Sequence, residues 1–478
     1  MNALASSVVK AYFRMTMHQC FLLLVTLCSV GILTTQEKPT AEAKPKRWLR
    51  ELKHINPKAW CGKMQFTPDG KELLAGDYPE GKIQLWNVAS GETRRLFEAG
   101  QGSRGSAEYF QLSPDGKTLY CDDSHERPKI TDIKKGDKNL RHWEMQGAVH
   151  AWNVETGEQQ TTYQHDPPTL IIFTQYAPDG LTFFTIEEKS GEFEGHPPRN
   201  YTLWDVKTRQ SRPLPDKIPG YLTYSPDSQT LAIPLGNEKG IKEIVFLDVK
   251  SLQVRRRQSL KQTGITTLSL SYSQDGKWLI AKLRKKTDGE EPGYWTPQIV
   301  IWNAQTGEEV FTHAGANQTD WVYPGCSSDH RYLVLSNWYP PLDGFKESLP
   351  NVRRGSLLII DLENKKLAHQ VMLTKPVSDD FSTTVGQAVI HPNGKVAAVI
   401  SRVMPTVVPD VEGERINVNK LPHAELHLID LSTGKIIESN VLPSNYHTTC
   451  AFSPDGKMLA IGAVGSVQLW NMADLGSR

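Results

Sequence analysis

Two short signals alternate eight times along this chain, and together they leave few folds open to it. The first is a turn tetrapeptide: TPDG at 67–70, SPDG at 113–116, APDG at 177–180, SPDS at 225–228, SQDG at 273–276, SSDH at 327–330, HPNG at 391–394 and SPDG at 453–456. Pro presets the first φ of a tight turn, Asp or Asn bonds back to its own backbone, and Gly accepts the positive φ that a sharp reversal demands. The second signal is a strand ending: Trp86 Asn87, Trp152 Asn153, Trp204 Asp205, Leu247 Asp248, Trp302 Asn303, Ile360 Asp361, Ile429 Asp430 and Trp470 Asn471. One ending follows each turn. The last copy shows the unit most plainly: a turn at 453–456, an apolar run at 458–463, a Gly465 Ser466 break and a third run ending in Trp470 Asn471. A meander that small cannot bury both of its faces alone, so it has to stack against copies of itself.

The pattern resembles the WD repeat family of β-propellers over residues 48–472. The matching features are the SPDGK turn, the Trp-Asp or Trp-Asn pair closing a strand, and the turn after it, seen as Ser90 Gly91, Thr156 Gly157, Thr306 Gly307 and Thr433 Gly434. The resemblance implies antiparallel four-stranded blades whose outermost strand follows that second turn. Such strands would lie near 93–98, 159–164, 209–214, 252–260, 309–312, 366–372 and 436–442, which is seven outer strands for eight repeats. The eighth would be WLRELKHI at 48–55, pairing beside 467–471; otherwise that segment is the end of a linker. The expectation is therefore an all-β chain with one eight-bladed β-propeller over 48–478, in which an N-terminal strand completes the last blade and leaves no open edge. The chain departs from the family in two ways. The family's Gly-His pair before each inner strand is absent, leaving His54, His165 and His313 without the Gly, and successive repeats are spaced from 41 to more than 60 residues. A partner therefore cannot be borrowed from the family.

The first 33 residues read as an address. Residues 1–36 hold no acidic side chain, Lys10 and Arg14 precede an uncharged apolar run at 20–33, and 14 apolar residues suit a secretory signal. A membrane span needs about 20. The small triplet Ser29 Val30 Gly31 lies inside the apolar run, so cleavage and an uncleaved signal anchor both remain open, the latter tethering the protein through 20–33. Residues 34–47, rich in Lys, Glu, Ala, Thr and Pro, read as a disordered linker. Either way the propeller belongs outside the cytoplasm, periplasmic or secreted.

Charge excludes one partner class. With 54 basic and 53 acidic side chains the net is +1, which gives no field for nucleic acid. The run Arg255 Arg256 Arg257 falls on an expected outer strand and reads as a solvated edge. Of the cysteines beyond the leader, Cys61, Cys121, Cys326 and Cys450, none shows metal spacing. Cys61 and Cys450 meet only if the ring closes; buried free thiols are the simpler reading.

The functional signal lies in loop lengths. Between the second and third strands the chain inserts 122–147, 187–200, 284–297, 337–355 and 402–423, all at one topological position and so on one rim, while the other turns stay short. Those insertions carry Trp143, Tyr294, Trp295, Trp338 and Tyr339, with Arg353 and Arg354, and also Arg141, Lys285 and Lys286. Large aromatics and Arg dominate interface energetics, so the first seven are the candidate partner-binding residues. Acidic clusters at 122–123, 187–188 and 288–291 read as solvated loop charge, and His142 and His150 lack a third ligand. No nucleophile or phosphate-loop motif occurs, and no catalytic residue, cofactor ligand or metal site is assigned. The expected function is a non-catalytic, monomeric, extracytoplasmic scaffold for a protein or peptide partner. The alternative is an exported propeller enzyme, quinoprotein-dehydrogenase-like or a hydrolase or lyase, with its site in the central channel.

Overall fold

The computed structural model describes residues 47–78, 81–98, 110–123, 129–135, 138–144, 147–165, 169–194, 197–215, 218–237, 240–286, 295–314, 321–327, 331–338, 355–373, 381–405, 424–442 and 449–477. The leader and nearly all of the linker lie outside them. Among the described residues the only helical element is the 3-10 turn Ala473–Ser477, and no helix is long and apolar enough to cross a membrane.

Every pairing between named strands is antiparallel. Six sheets have four strands each: sheet 1 from Trp60–Phe66 to Thr93–Phe97, sheet 2 from Phe110–Leu112 to Gln159–Tyr163, sheet 3 from Thr169–Tyr176 to Ser211–Pro213, sheet 6 from Trp321–Cys326 to Lys366–Met372, sheet 7 from Phe381–Ile390 to Ile436–Leu442, and sheet 8 from Cys450–Phe452 to Ser466–Asn471 plus Trp48–Lys53. An eight-stranded sheet forms two four-stranded halves, sheet 4 from Thr223–Tyr224 to Val254–Ser259 and sheet 5 from Ile265–Tyr272 to Glu309–Ala314, joined through the pair Ile241–Ile265. The arrangement is propeller-like. The outer strands observed at Thr93–Phe97, Gln159–Tyr163, Lys366–Met372 and Ile436–Leu442 fall where the second turns placed them.

Burial explains the strand sequences. Third strands such as Ile83–Asn87 and Ala424–Asp430 are buried on both faces, the polar Gln84 and His427 included, because a neighbouring sheet covers each face. Outermost strands such as Val254–Ser259 are largely exposed and read as polar. Each apolar cluster straddles two sheets: Leu85 of sheet 1 meets Leu119 of sheet 2, Tyr163 of sheet 2 meets Trp204 of sheet 3, and so on to Leu428 of sheet 7 with Trp470 of sheet 8. One further cluster joins Leu469 and Leu52 of sheet 8 to Leu73 and Trp86 of sheet 1.

The recurrent turn is a closed hydrogen-bond circuit. In 113–116 the Ser113 hydroxyl donates to Asp115 Oδ1 (2.6 Å), which also accepts from the Lys117 amide (3.0 Å), while Thr118 N–H donates to Ser113 Oγ (2.9 Å). Thr67–Asp69 and Ser453–Asp455 repeat the first bond at 2.7 Å. These bonds hold the Asp69, Asp115 and Asp455 carboxyls below their ordinary pKa, the hydroxyl contact leading in each case. Gly116 has φ +71°, and a Cβ there would lie 2.8 Å from Cδ of Pro68 in the preceding sheet's turn. Gly is thus required twice, for the backbone conformation and for the close approach of the next turn.

A second staple recurs on the outer strands. Arg95 of sheet 1 donates to the Glu155 carbonyl of sheet 2 (2.8 Å), Arg212 of sheet 3 to Val249 O of sheet 4 (2.9 Å), Arg256 of sheet 4 to Ala304 O of sheet 5 (2.9 Å), and His369 of sheet 6 to Ser432 O of sheet 7 (2.8 Å). Arg50 of sheet 8 reaches Ala89 O of sheet 1. The triple-arginine run is therefore no plain solvated edge. Arg256 spans two sheets and lies 4.0 Å over the Phe246 ring, Arg255 pairs with Asp248 (Nε–Oδ2 3.1 Å) and Arg257 with Glu243 (2.7 Å).

The segment 48–55 supplies a strand, Trp48–Lys53, that runs antiparallel to Ser466–Asn471 with Trp48 opposite Trp470 and Leu52 opposite Val467. Arg47 anchors its start. Its guanidinium is only 10% exposed and bonds Glu438 of sheet 7 (2.8 Å) and Asp474 of the C-terminal turn (2.9 Å), contacts that raise its pKa against the opposing effect of burial. Cys61, Cys121 and Cys450 are buried free thiols, so no Cys61–Cys450 bridge forms; burial pushes the Cys450 thiol up to about 12.

Candidate functional site

Antiparallel connectivity sends every segment between a second and a third strand to the same end of its sheet. Among the described residues, two of these insertions form strands of their own. The insertion of sheet 2 forms the strands Lys129–Lys135 and Lys138–Glu144, and that of sheet 3 contributes Gly191–Phe193, which pairs with the latter through Trp143–Gly191 and Phe193–Arg141. Two insertions from different sheets thus share one three-stranded sheet. Arg141–Asp132 (3.3 Å) and Lys135–Glu192 (3.3 Å) are its cross-strand ion pairs. Exposed pairs of this kind contribute under about 1 kcal/mol each.

Beside it lies a cleft of about 370 Å³ lined by Arg199, Tyr221, Thr267, Ser269, Lys282, Leu283, Arg284 and Pro297. Thr267 and Ser269 alternate along the first strand of sheet 5, and Lys282 and Arg284 along its second, so each pair presents to one face. The register sets Ser269 opposite Lys282, Thr267 opposite Arg284, and Arg284 opposite Pro297. Arg199 opens the third strand of sheet 3, half exposed, with Glu188 at 4.0 Å. Tyr221 belongs to the link between sheets 3 and 4. Its N–H donates to Leu268 O (3.0 Å), its carbonyl accepts from Leu270 N–H (3.3 Å), and its ring stands edge-on to Phe173 at 5.5 Å. The link can lie that close because residue 220 is Gly: a Cβ there would sit 2.1 Å from Leu268 O.

The candidate contact residues fare unequally. Trp143, on the middle strand of the shared sheet, is only 5% exposed, which corrects its assignment as an exposed contact. Trp295 opens the third strand of sheet 5 opposite Lys286, and Trp338 closes the second strand of sheet 6 opposite Gly355; their backbones alone are described. Tyr294, Tyr339, Arg353 and Arg354 lie outside the described residues. The insertions are also shorter than expected, because strand pairing continues to Lys189 and Lys286 before the chain turns away.

Two of the acidic clusters are not solvated loop charge. Asp122 is 5% exposed and accepts from Thr174 (3.4 Å). Glu187 is 1% exposed, accepts from Thr185 and from Thr202 (3.4 Å), and meets His165 Nε2 at 3.1 Å. Thr185 Oγ1 in turn accepts the Trp204 indole N–H (3.1 Å), so His165, Glu187, Thr185 and Trp204 form one wired set. The equivalent His54 lies edge-on to Trp86 at 5.1 Å in sheet 1, where Ala75 stands in place of Thr185; neither His54 nitrogen nor Trp86 Nε1 has a hydrogen-bond partner among the described residues. Burial drives the His54 imidazole down to about 4. Lys63 is pushed down to about 8, chiefly by burial, and its ammonium donates to Phe110 O (2.5 Å). His150 is held by Thr162 (3.1 Å) and Gln159 (3.0 Å). Among the described residues no three His, Cys, Asp or Glu side chains are grouped to hold a metal.

No family model matches the chain, and no curated protein matches it. Among solved structures it is similar to Kuenenia stuttgartiensis hydrazine synthase, with a TM-score of 0.43 and 14% identity over 88% of this chain and 97% of that one. At that identity no activity passes from one chain to the other.

Proposed function

We propose that this protein is a non-catalytic extracytoplasmic scaffold, a closed eight-bladed propeller of the WD-repeat type that binds a protein or peptide on the end carrying its long insertions. The observation that carries the reading is the sheet shared by the insertions of sheets 2 and 3. Loops that join across units make one fixed platform, and a preorganised surface loses less entropy on binding than separate mobile loops. Closure is supported by the pairing of Trp48–Lys53 with Ser466–Asn471 and by the apolar cluster joining sheets 8 and 1. Export is supported by the apolar run at 20–33, retained or removed.

Replacing Trp295 and Trp338 together with Ala tests the reading. Crosslinked capture of a partner from an extracytoplasmic fraction should be lost while the melting temperature holds. Trp204→Ala is the fold control, because it removes a buried ring stacked on Phe183 (6.0 Å, 8°) and should cost about 3–5 kcal/mol. If the loop substitutions unfold the protein as the control does, those tryptophans are packing residues and the binding face loses its support. Purified protein carrying a bound quinone would favour an enzyme instead.

A further inference from the structure

We propose that the junction of sheets 8 and 1 binds one internal water molecule, which accepts the indole N–H of Trp86 and bonds the imidazole of His54, in the place where sheet 3 uses the hydroxyl of Thr185. Such a site goes beyond the scaffold reading and holds whether or not a partner binds. Three buried polar atoms meet at this junction. Both ring nitrogens of His54 and Nε1 of Trp86 have no hydrogen-bond partner among the described residues, although His54 is 5% exposed and Trp86 fully buried. Groups of that kind cost free energy unless something bonds them. The two rings stand edge-on with centroids 5.1 Å apart, so one small molecule can serve both. The imidazole is also kept inside by its own backbone. His54 N–H donates to Gly465 O in the hairpin of sheet 8 (2.9 Å), Ile55 N–H donates to Gln84 Oε1 of sheet 1 (3.0 Å), and Gln84 Nε2 donates back to Lys53 O (3.3 Å).

Sheet 3 shows what the bonding group has to do. Its second and third strands keep the register of sheet 1, with Phe183 opposite Trp204 as Leu73 is opposite Trp86. Counted from those residues, Thr185 and Glu187 of sheet 3 correspond to Ala75 and Asp77 of sheet 1. In sheet 3 the Trp204 indole donates to Thr185 Oγ1 (3.1 Å), Thr185 donates to Glu187, and Glu187 meets His165 Nε2 at 3.1 Å. Sheet 1 keeps the histidine and the tryptophan but is short of a hydroxyl and a methyl at Ala75 and of a methylene at Asp77. Those three groups together outweigh the share of one water, about 30 Å³. Water has the chemistry required. It accepts from the indole as Thr185 Oγ1 does, and it can donate to or accept from a neutral imidazole. Burial drives the His54 pKa down to about 4, so the ring is neutral near pH 7. The indole can only donate, which disfavours a cation, and Asp77, 6% exposed at the position of Glu187, disfavours an anion.

The test is a crystal structure of the full chain, fine enough to show ordered water, together with thermal melts of two variants of equal shape. A density peak about 2.7–3.2 Å from both Trp86 Nε1 and a His54 nitrogen is expected. Ala75→Thr supplies the hydroxyl that sheet 3 has, and should expel the water while holding or raising the melting temperature. Ala75→Val fills the same space without a hydroxyl and leaves the indole unbonded, so it should melt about 2 °C or more below Ala75→Thr. Equal melting of the two variants overturns the proposal. So does a well-ordered Trp86 and His54 with no peak between them, or a His54 nitrogen bonded directly to Asp77. If neither variant folds, the crystal structure of the parent chain decides by itself.

Discussion

The two ends of these sheets use the same residue types to opposite purposes. At the turn-bearing end, Arg95, Arg212 and Arg256 each donate to a carbonyl of the next sheet, the Asp of five described turns accepts from its own Ser or Thr, and Gly116 receives Pro68 of its neighbour. Little is left there for a ligand. At the insertion-bearing end, Arg199 is half exposed, Lys282 and Arg284 line a cavity, and strands from two sheets build a surface of their own. The lesson is that an arginine's role here follows from which end of a strand it occupies. Contacts between sheets collect where connections are short, and insertions collect where the chain could lengthen without disturbing them.

His54 breaks the simplicity of that contrast, and it carries the largest expected effect. It follows the strand Trp48–Lys53 at the insertion-bearing end, yet it is 5% exposed and neither ring nitrogen has a hydrogen-bond partner among the described residues. Its folded pKa, about 4, lies below the ordinary 6.5, so the unfolded chain takes up a proton that the folded chain refuses. Stability is then full above pH 6.5 and falls as pH drops toward 4, by up to about 3 kcal/mol. Urea unfolding at pH 7 and pH 4.5 should show the loss, and His54→Phe should flatten it. An unchanged pH slope in that variant would mean that the imidazole is solvated and that the seam beside Trp86 is open.

A smaller effect tests the turn-bearing end. Gly116→Ala places a side chain at φ +71° and against Pro68, and should cost about 1–3 kcal/mol. Gly70, at φ +70°, has Pro454 at 3.5 Å, so Gly70→Ala meets the backbone penalty without the clash and should lose less. Equal losses in thermal melts would show that the contact between successive turns contributes nothing.

The turn-bearing end was legible because its signals are local. TPDG and SPDG prescribe their own hydrogen bonds, and the second turns place the outer strands to within a few residues. The pairing of Trp48–Lys53 with Ser466–Asn471 was legible from arithmetic, with one outer strand too few among the repeats and one segment left over. The shared insertion sheet was missed although a signal existed: Gly136 Asp137 separates two runs of similar length and is a hairpin pair. The cleft had no such signal. It depends on Gly220 and Tyr221 of a link meeting Lys282 and Arg199 of two different sheets, and local pattern does not specify that meeting. Glu187 was misread because Glu188 beside it suggested solvent, whereas alternation turns one of the two inward.

The smallest global effect is the sharpest test of the contrast between the ends. Trp143 is as buried as Trp204, each 5% exposed, so area alone predicts comparable losses on truncation. Their surroundings differ. Trp204 lies in a cluster spanning two main sheets, whereas Trp143 stands on the middle strand of a three-stranded sheet whose edge strand, Lys129–Lys135, is almost wholly exposed. An element with so little core opens on its own well below the global unfolding free energy. Trp143→Ala should therefore leave the main thermal transition within about 0.5 kcal/mol of the parent while amide exchange speeds up across 129–144. A full-sized drop in melting temperature would show that the appendage is part of the main core, and the division between the turn-bearing end and the insertion-bearing end would have to be redrawn.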